Sequence, residues 1–486
     1  MRTSILLLLF LTTILRSQNL SELPYFQMGD LIYQGAFRLP AGEFGSSSLN
    51  FSEGPIAYNP DNHSLFIVGH SQQQQLAEFA LPEPGTTTIL ANLPVADRPI
   101  QSFTPLFDRP DLDNPDALDR IGGLWYSSDS RALMVTAYEY YDAPGDNAHL
   151  AFYWASADHL DDGPIVSLSP ALPVPPAHLA GWISPVPANL QDLLGGPLLF
   201  GGSSGIPIIS RTSVGPSAFI GDLNLTTGPL PNLVITQTLL DFSLEHRLAE
   251  DLENVSRTND LWTHLSRAVY GLIVPGTRTY LTFGYSGGHH SGVCYKCTQD
   301  NGNLCGGYCA PDHTDYNAYY WLWDLQDLLD VKSGNRTPND IRPYDYGAWD
   351  PPFVRDDQAI GGGTFDPVSQ TLYLSVQRAD TLQGQYDNPP VIIAYRFATT
   401  SARQWTPSMS DLQVYPNPAS ESIWLSGVPP SCTVIIYDIQ GRSLATHRLN
   451  TNPGFLPIHN LAPGIYFLEL RDNSSSWRCH QRFHKF

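Results

Sequence analysis

The stretch IGGGTFDPVSQTLYLSVQRAD, residues 360–380, decides the fold: a glycine-led strand, a polar turn at Asp366–Gln370, and a second strand that ends in polar residues. Variants of it recur along the chain. Gly54–His70 (GPIAYNPDNHSLFIVGH) turns at Asn59–His63, and Gly122–Asp142 (GGLWYSSDSRALMVTAYEYYD) fits the same template, followed by a third strand at His149–Ser156. Gly181–Gly205 is a looser copy with a third strand at Ser217–Leu225. Arg267–Gly288 is the fourth, its third strand delayed to Ala318–Leu325, and the opening stretch is the fifth, continued by Val391–Ala398. Apolar and polar positions alternate on either side of each turn, the period of a half-buried strand. Two strands and a tight turn cannot bury their apolar face alone. Copies spaced tens of residues apart therefore predict radial repetition, an all-β body at residues 30–398 built as a β-propeller of about five blades with about four strands each. The fifth blade lacks an outer strand before the Ser/Thr/Pro-containing linker (399–410), and Leu31–Leu39 (LIYQGAFRL) is expected to supply it and close the ring. Thr226–Thr263 is the weak region, read either as a further blade or, from the mixed helical spacing of LLDFSLEHRLAEDLEN, as a helical insertion.

The composition suits that reading. Among 486 residues, 39 glycines, 41 prolines, 11% aromatic and only 15% charged residues favour short strands and turns over helices, and the length allows two or three domains. The net charge of −21 arises from scarce cations and repels phosphate backbones and anionic headgroups, so nucleic acid is not an expected partner. Residues 1–18 have Arg2, an apolar run Ile5–Leu11 and more polar residues after Leu15, the layout of a signal peptide. The run is too short to span a bilayer, and no transmembrane segment is expected after it. In an exported chain the six cysteines, all in the C-terminal half, point to disulfides.

From Asp411 the chain changes character. LQVYPNPAS (Leu412–Ser420) has prolines that fix an extended start to a strand; VIIYDIQGR (Val434–Arg442) turns at Asp438–Gly441; and LAPGIYFLEL (Leu461–Leu470) turns at Pro463-Gly464 into an alternating strand. The pieces Pro416-Asn417-Pro418-Ala419, Tyr437-Asp438 with Gly441-Arg442, and Leu461 with Gly464-x-Tyr466 resemble the C-terminal sorting domain of the type IX secretion system. The resemblance covers residues 411–486. It implies a small immunoglobulin-like β-sandwich, the secretion machinery as partner, passage across the outer membrane of a Gram-negative bacterium, and release or anchoring at the cell surface. Arg482, Phe483 and Lys485 suit the family's closing strand, whereas the histidines among them do not. Cys432 and Cys479 lie outside the family pattern and, on two strands of one sandwich, suggest a bridge.

Several constellations could carry chemistry. Cys294-x2-Cys297-x7-Cys305-x3-Cys309, with His289-His290 before it and His313 after it, offers four ligand-type residues within sixteen and so a tetrahedral zinc site. Two short disulfides pinning a long loop fit as well, and export favours them. Asp111, Asp113 and Asp116 in FDRPDLDNPDALD offer oxygens to calcium, but Pro115 and the absent glycine break the calcium-loop pattern. No cofactor is otherwise expected. The positions after the second strands, His70, Glu139, Tyr285 with His289, and Arg378 with Asp380, are candidate ligand-binding residues on one rim, which the insertions Asp142–Asn147, Tyr285–Asn317 and Arg378–Pro390 elaborate. Aromatics, a carboxylate and a guanidinium there suit an extracellular carbohydrate or a protein ligand. The alternative is a polysaccharide hydrolase or lyase using acids of the same rim, although sequence cannot place Glu139 against Glu53 or Asp222. GxSxG, HExxH and P-loop motifs are absent.

Overall fold

Asp366 builds the turn of the deciding stretch: its carboxylate accepts the backbone N–H groups of Val368 and Ser369, and Gln370 takes a positive φ of 57°. That geometry returns the chain, so Ile360–Asp366 pairs antiparallel with Thr371–Val376, Asp366 opposite Thr371. This computed structural model describes residues 20–154, 156–168, 176–203, 213–224, 232–355, 359–384, 386–398, 413–426, 432–438, 442–449, 454–472 and 478–486. The expected signal peptide (1–18) and linker (399–410) lie outside the described residues, as does Gly441.

The chain divides into two units at Ala398/Thr399. The first holds five four-stranded antiparallel sheets among its described residues, four of them in chain order. The first sheet is Ile56–Asn59, Ser64–Val68, Gln75–Ala80 and Gln101–Pro105; the second is Arg120–Ser127, Ala132–Tyr138, Ala151–Trp154 and Ile165–Leu168. The third is Ile183–Pro185, Leu198–Phe200, Ala218–Asn224 and Asn232–Leu240; the fourth is Arg267–Ile273, Thr279–Gly287, Tyr316–Asp324 and Asp345–Trp349. The fifth starts with Ile360–Asp366, Thr371–Val376 and Val391–Phe397, and its outer strand is Leu31–Arg38 from the other end of the unit, paired from Leu31↔Phe397 to Arg38↔Val391. The first strands of consecutive sheets touch in cyclic order, that of the fifth sheet meeting that of the first. Leading glycines make this approach possible: a Cβ at Gly122 would collide with the Ala180 carbonyl, and one at Gly362 would stand 2.8 Å from Pro55 Cα.

Three features depart from expectation. Within the proposed helical insertion, Leu239–Leu240 complete the third sheet's outer strand, and the rest, to Asn254, forms turns. A helix forms instead at Leu325–Lys332, started by Asp324 accepting the Gln326 N–H. Residues upstream of 30 also belong to the body, since buried Phe26 donates its N–H to Thr279 Oγ1 and accepts the Tyr344 hydroxyl.

The second unit has a three-stranded sheet (Gln413–Tyr415, Ser422–Ser426, Gly454–Pro457) and a four-stranded sheet in the order Ser443–Leu449, Cys432–Tyr437, Gly464–Asp472, Arg478–Lys485. Ile423, Leu425 and Leu456 of one sheet share a core with Val434, Ile436, Leu468, Leu470 and Phe483 of the other. The Cys432–Cys479 bridge does not fit this register: Cys432 faces Asp472 and Cys479 faces Leu470, on opposite sides of the Gly464–Asp472 strand. Two strand spacings amount to roughly 9–10 Å, beyond the roughly 7 Å that a disulfide spans between Cα atoms.

Candidate functional site

Antiparallel pairing puts the start of each first strand beside the end of its second strand, as in Arg267↔Tyr285 and Arg120↔Tyr138. Contact between the first strands brings neighbouring sheets' ends of this kind together. Arg267 is half-buried there, with the Tyr285 and Tyr138 hydroxyls and the Glu53 carboxylate close enough to act on its charge. Burial alone would weaken the cation, but Tyr285, Tyr138 and Glu53 together raise its pKa above the ordinary arginine value. The Tyr138 hydroxyl is raised by burial, against the opposing pull of Arg267 and Arg120. The Nε of Arg267 is buried without a hydrogen-bond partner. Arg120 lies 4.9 Å from the Tyr140 ring and 3.3 Å from Asp119. Tyr140 and Tyr141 are 41% and 60% exposed, and the Arg120 guanidinium lies over the Tyr140 ring.

Of the residues expected on the rim, Tyr285 joins this cluster. Glu139 follows Tyr138 directly, is half-buried, and accepts a long 3.5 Å hydrogen bond from Asn147. His70 packs edge-on against Phe51 and accepts the Gln72 N–H. His289 has both ring nitrogens engaged, Nε2 with Ser286 Oγ at 2.7 Å and Nδ1 with the Asn259 carbonyl at 3.0 Å, and it stacks on Tyr319. Asp380 is fully buried and grips Arg38 of the closing strand through two hydrogen bonds of 2.7 and 3.0 Å. It holds the closing strand in place. Arg378 sits just past the second strand of the fifth sheet at φ 53°. Arg267, Tyr138 and Arg120 were not singled out in the sequence, although Arg120 and Arg267 each open the first strand of their sheet.

The acidic turn is tied to the chain itself. Asp111 is held by Arg109, and Asp116 accepts the N–H groups of Ala148 and His149 and faces the His149 ring, which fastens one end of the Asp142–Asn147 insertion. Asp113, between them, is exposed. Those contacts give the Asp111 and Asp116 oxygens partners other than calcium.

The cysteine loop folds as a two-stranded ribbon, Cys294–Tyr295 against Tyr308–Cys309. Of the three possible pairings it adopts Cys294–Cys297 and Cys305–Cys309. The ribbon docks through Tyr308, stacked on His264 at 4.0 Å, and through the Val293 N–H to the Glu253 carbonyl. His290 donates its backbone N–H to Asp315, and His313 Nδ1 faces Asp300 at 2.8 Å.

In the second unit, Tyr437 donates to Glu469, Asp438 accepts both the N–H and the Nε of Arg442, and Tyr466 donates to the Ala462 carbonyl. Asp438, Arg442, Leu461, Gly464 and Tyr466 line one open cavity, so two of the three motif stretches converge. The third lies by the closing strand, where Asn417 accepts the His484 N–H and Ala419 donates to the His484 carbonyl. Pro416 and Pro418 flank Asn417, each preceded by a cis peptide bond.

Residues 413–481 match the family described as the secretion system C-terminal sorting domain. The protein therefore carries the type IX address and is exported across the outer membrane, to the cell surface or beyond. No curated protein matches the chain. Among solved structures it is similar to PorZ, described as an essential bacterial surface component of the type IX secretion system of Porphyromonas gingivalis, with 14% identity, a TM-score of 0.29, and coverage of 92% of this chain and 53% of that one. The extracellular domain of a putative hybrid two-component system from B. thetaiotaomicron gives 10% identity, a TM-score of 0.30, and coverage of 93% and 60%. A periplasmic gluconolactonase of Pseudomonas aeruginosa gives 10% identity, a TM-score of 0.27, and coverage of 81% and 98%. The chain thus spans little more than half the length of the first two. At these TM-scores none of the three bears on what the body does.

Proposed function

We propose that the body is a five-bladed β-propeller, followed by an immunoglobulin-like sorting domain, and that it binds an extracellular carbohydrate bearing carboxylate groups at the mouth around Arg267. The propeller reading is supported by the cyclic contact of the five first strands and by Leu31–Arg38 completing the fifth sheet. The observation that carries the ligand reading is Arg267, a half-buried guanidinium beside Tyr285 and Tyr138 whose buried Nε has no hydrogen-bond partner. A guanidinium fork matches a carboxylate in two-point geometry. Exposed Tyr140 and Tyr141 on the same rim offer faces for sugar rings. A chain of net charge −21 repels a dense polyanion at long range, so attraction must be local. Sparse acidic sugars fit better than sulfated or phosphorylated polymers.

The test is calorimetric titration of the full exported chain with a uronate-containing oligosaccharide and its neutral counterpart. The uronate form binds more tightly, and Arg267→Ala weakens it by roughly 10–100-fold, the scale of a charge-assisted hydrogen bond, while Arg267→Lys recovers part. Circular dichroism verifies that both variants fold. Equal binding of the two sugars, or an unaffected Arg267→Ala variant, overturns the reading. Release of shorter products during titration would instead favour a hydrolase or lyase.

A further inference from the structure

We propose that Cys294, Cys297, Cys305 and Cys309 form one tetrathiolate site for zinc in the reduced chain, and that the two disulfides are the oxidised form of that same site. Two independent local disulfides require nothing of the distance between them. Here the ribbon register sets Cys294 opposite Cys309, the Cys297 and Cys309 sulfurs stand 3.4 Å apart, and the Cys294, Cys297 and Cys309 sulfurs all lie within 4.8 Å of one another. Cys305 lies outside that group of three but is bonded to Cys309, one of its members, so reduction leaves its thiol beside the other three. Zinc–sulfur bonds of about 2.3 Å in a tetrahedron set sulfurs about 3.8 Å apart, so the gathering observed is close to what one cation requires.

The connectivity points the same way. Each disulfide joins residues only three or four apart, so neither ties the Cys294–Cys297 half of the loop to the Cys305–Cys309 half. Rings this small constrain the unfolded chain least. One cation held by all four sulfurs joins the halves directly. The surrounding backbone already brings the two halves together: the Cys305 N–H donates to the Cys297 carbonyl and the Lys296 N–H donates to the Gly307 carbonyl. The histidines are not needed as ligands. His289 is engaged on both nitrogens and His313 is turned to Asp300, leaving an all-sulfur set that favours zinc over calcium or magnesium.

The two forms exclude each other by chemistry. On binding, four thiols release four protons to solvent, four sulfur–zinc bonds form, and no electron is transferred. On oxidation by a thiol–disulfide oxidant, the same four thiols lose four protons and four electrons, two S–S bonds form, and two oxidant disulfides are reduced to four thiols. A chain made in a reducing compartment and exported into an oxidising one meets both conditions in turn.

The experiment takes the chain without residues 1–18, reduces it anaerobically, and adds zinc against a chromophoric chelator, with cobalt as a spectroscopic substitute. The expected result is one zinc per chain, the cobalt bands of a tetrahedral four-sulfur set, and zinc restoring the protease resistance that reduction removes between Gly287 and Tyr316. Cys305→Ser should weaken binding by more than the roughly 100-fold that losing an outer-shell partner can cost. The oxidised chain should take up none, and His290→Ala with His313→Ala should change nothing. Sub-stoichiometric zinc, cobalt bands of a nitrogen-containing set, a Cys305→Ser variant as tight as the parent, or zinc that binds without restoring protection each overturns the proposal.

Discussion

His264 ties the long loop to the body through one stacked ring, and the tie depends on its charge. Burial lowers its imidazole pKa below the ordinary 6.5, Glu253 pulls it up and Arg247 pushes it down. A histidine whose pKa is depressed in the docked state binds protons more readily when the loop is released. Docking is therefore strongest above about pH 6.5 and weakens as the pH falls through that value. Limited proteolysis between Gly287 and Tyr316 should be faster at about pH 5.5 than at about pH 7.5, and His264→Phe should level the two rates. A parent protein with the same rate at both would remove the mechanism. Asp380 shows where reading single residues from sequence stops. A carboxylate after a strand looks like a rim group, but its partner Arg38 lies 342 positions away, and no local pattern records that distance. Tyr285 was legible because the repeat places it, and by the same alignment Arg120 and Arg267 could have been.

Among the elements, the inner strands were legible and, apart from Leu31–Arg38, the outer ones were not. Inner strands pack on both sides, so they read as apolar runs after a glycine; Ala132–Tyr138 is buried at every position. Outer strands lack that pattern, and Asp345–Trp349 has no buried residue at all. Leu239–Asn254 has helical spacing, yet polar side chains capture its downstream backbone: Asp251 accepts the N–H groups of Val255 and Ser256, and Asn254 accepts that of Asn259 while donating to the Gly288 and His289 carbonyls. Such bonds give the backbone an alternative to a helix. The closing strand has its own test. Arg38 and Asp380 are both buried, so Asp380→Ala leaves a guanidinium without its counter-charge and should cost about 3–5 kcal/mol in a denaturant titration. The double variant Arg38→Met with Asp380→Leu should recover much of that loss. If Asp380→Ala melts with the parent, the pair does not hold the strand.

Over the whole molecule, the two units answer different questions. The sorting unit was legible because a turn, a proline pair and a glycine-led strand each had to fall at a fixed place in sequence. The body was legible as repeated four-stranded sheets only, because the surroundings of Arg267 draw on residues as far apart in sequence as Glu53 and Tyr285. Each unit has its own buried core, Leu374, Val391 and Ile393 among the residues of one, Val434, Ile436 and Leu468 among those of the other. A unit with its own core folds without its neighbour. A chain ending at Ala398 should therefore fold in the periplasm, keep the melting behaviour and Arg267-dependent binding of the full protein, and fail to reach the cell surface or the medium. Fractionation of cells expressing the two forms, with a melting curve on each, reads all of this. Unchanged surface delivery of the shortened chain would show that residues 413–481 are not its address, and an unfolded body would show that the units fold together.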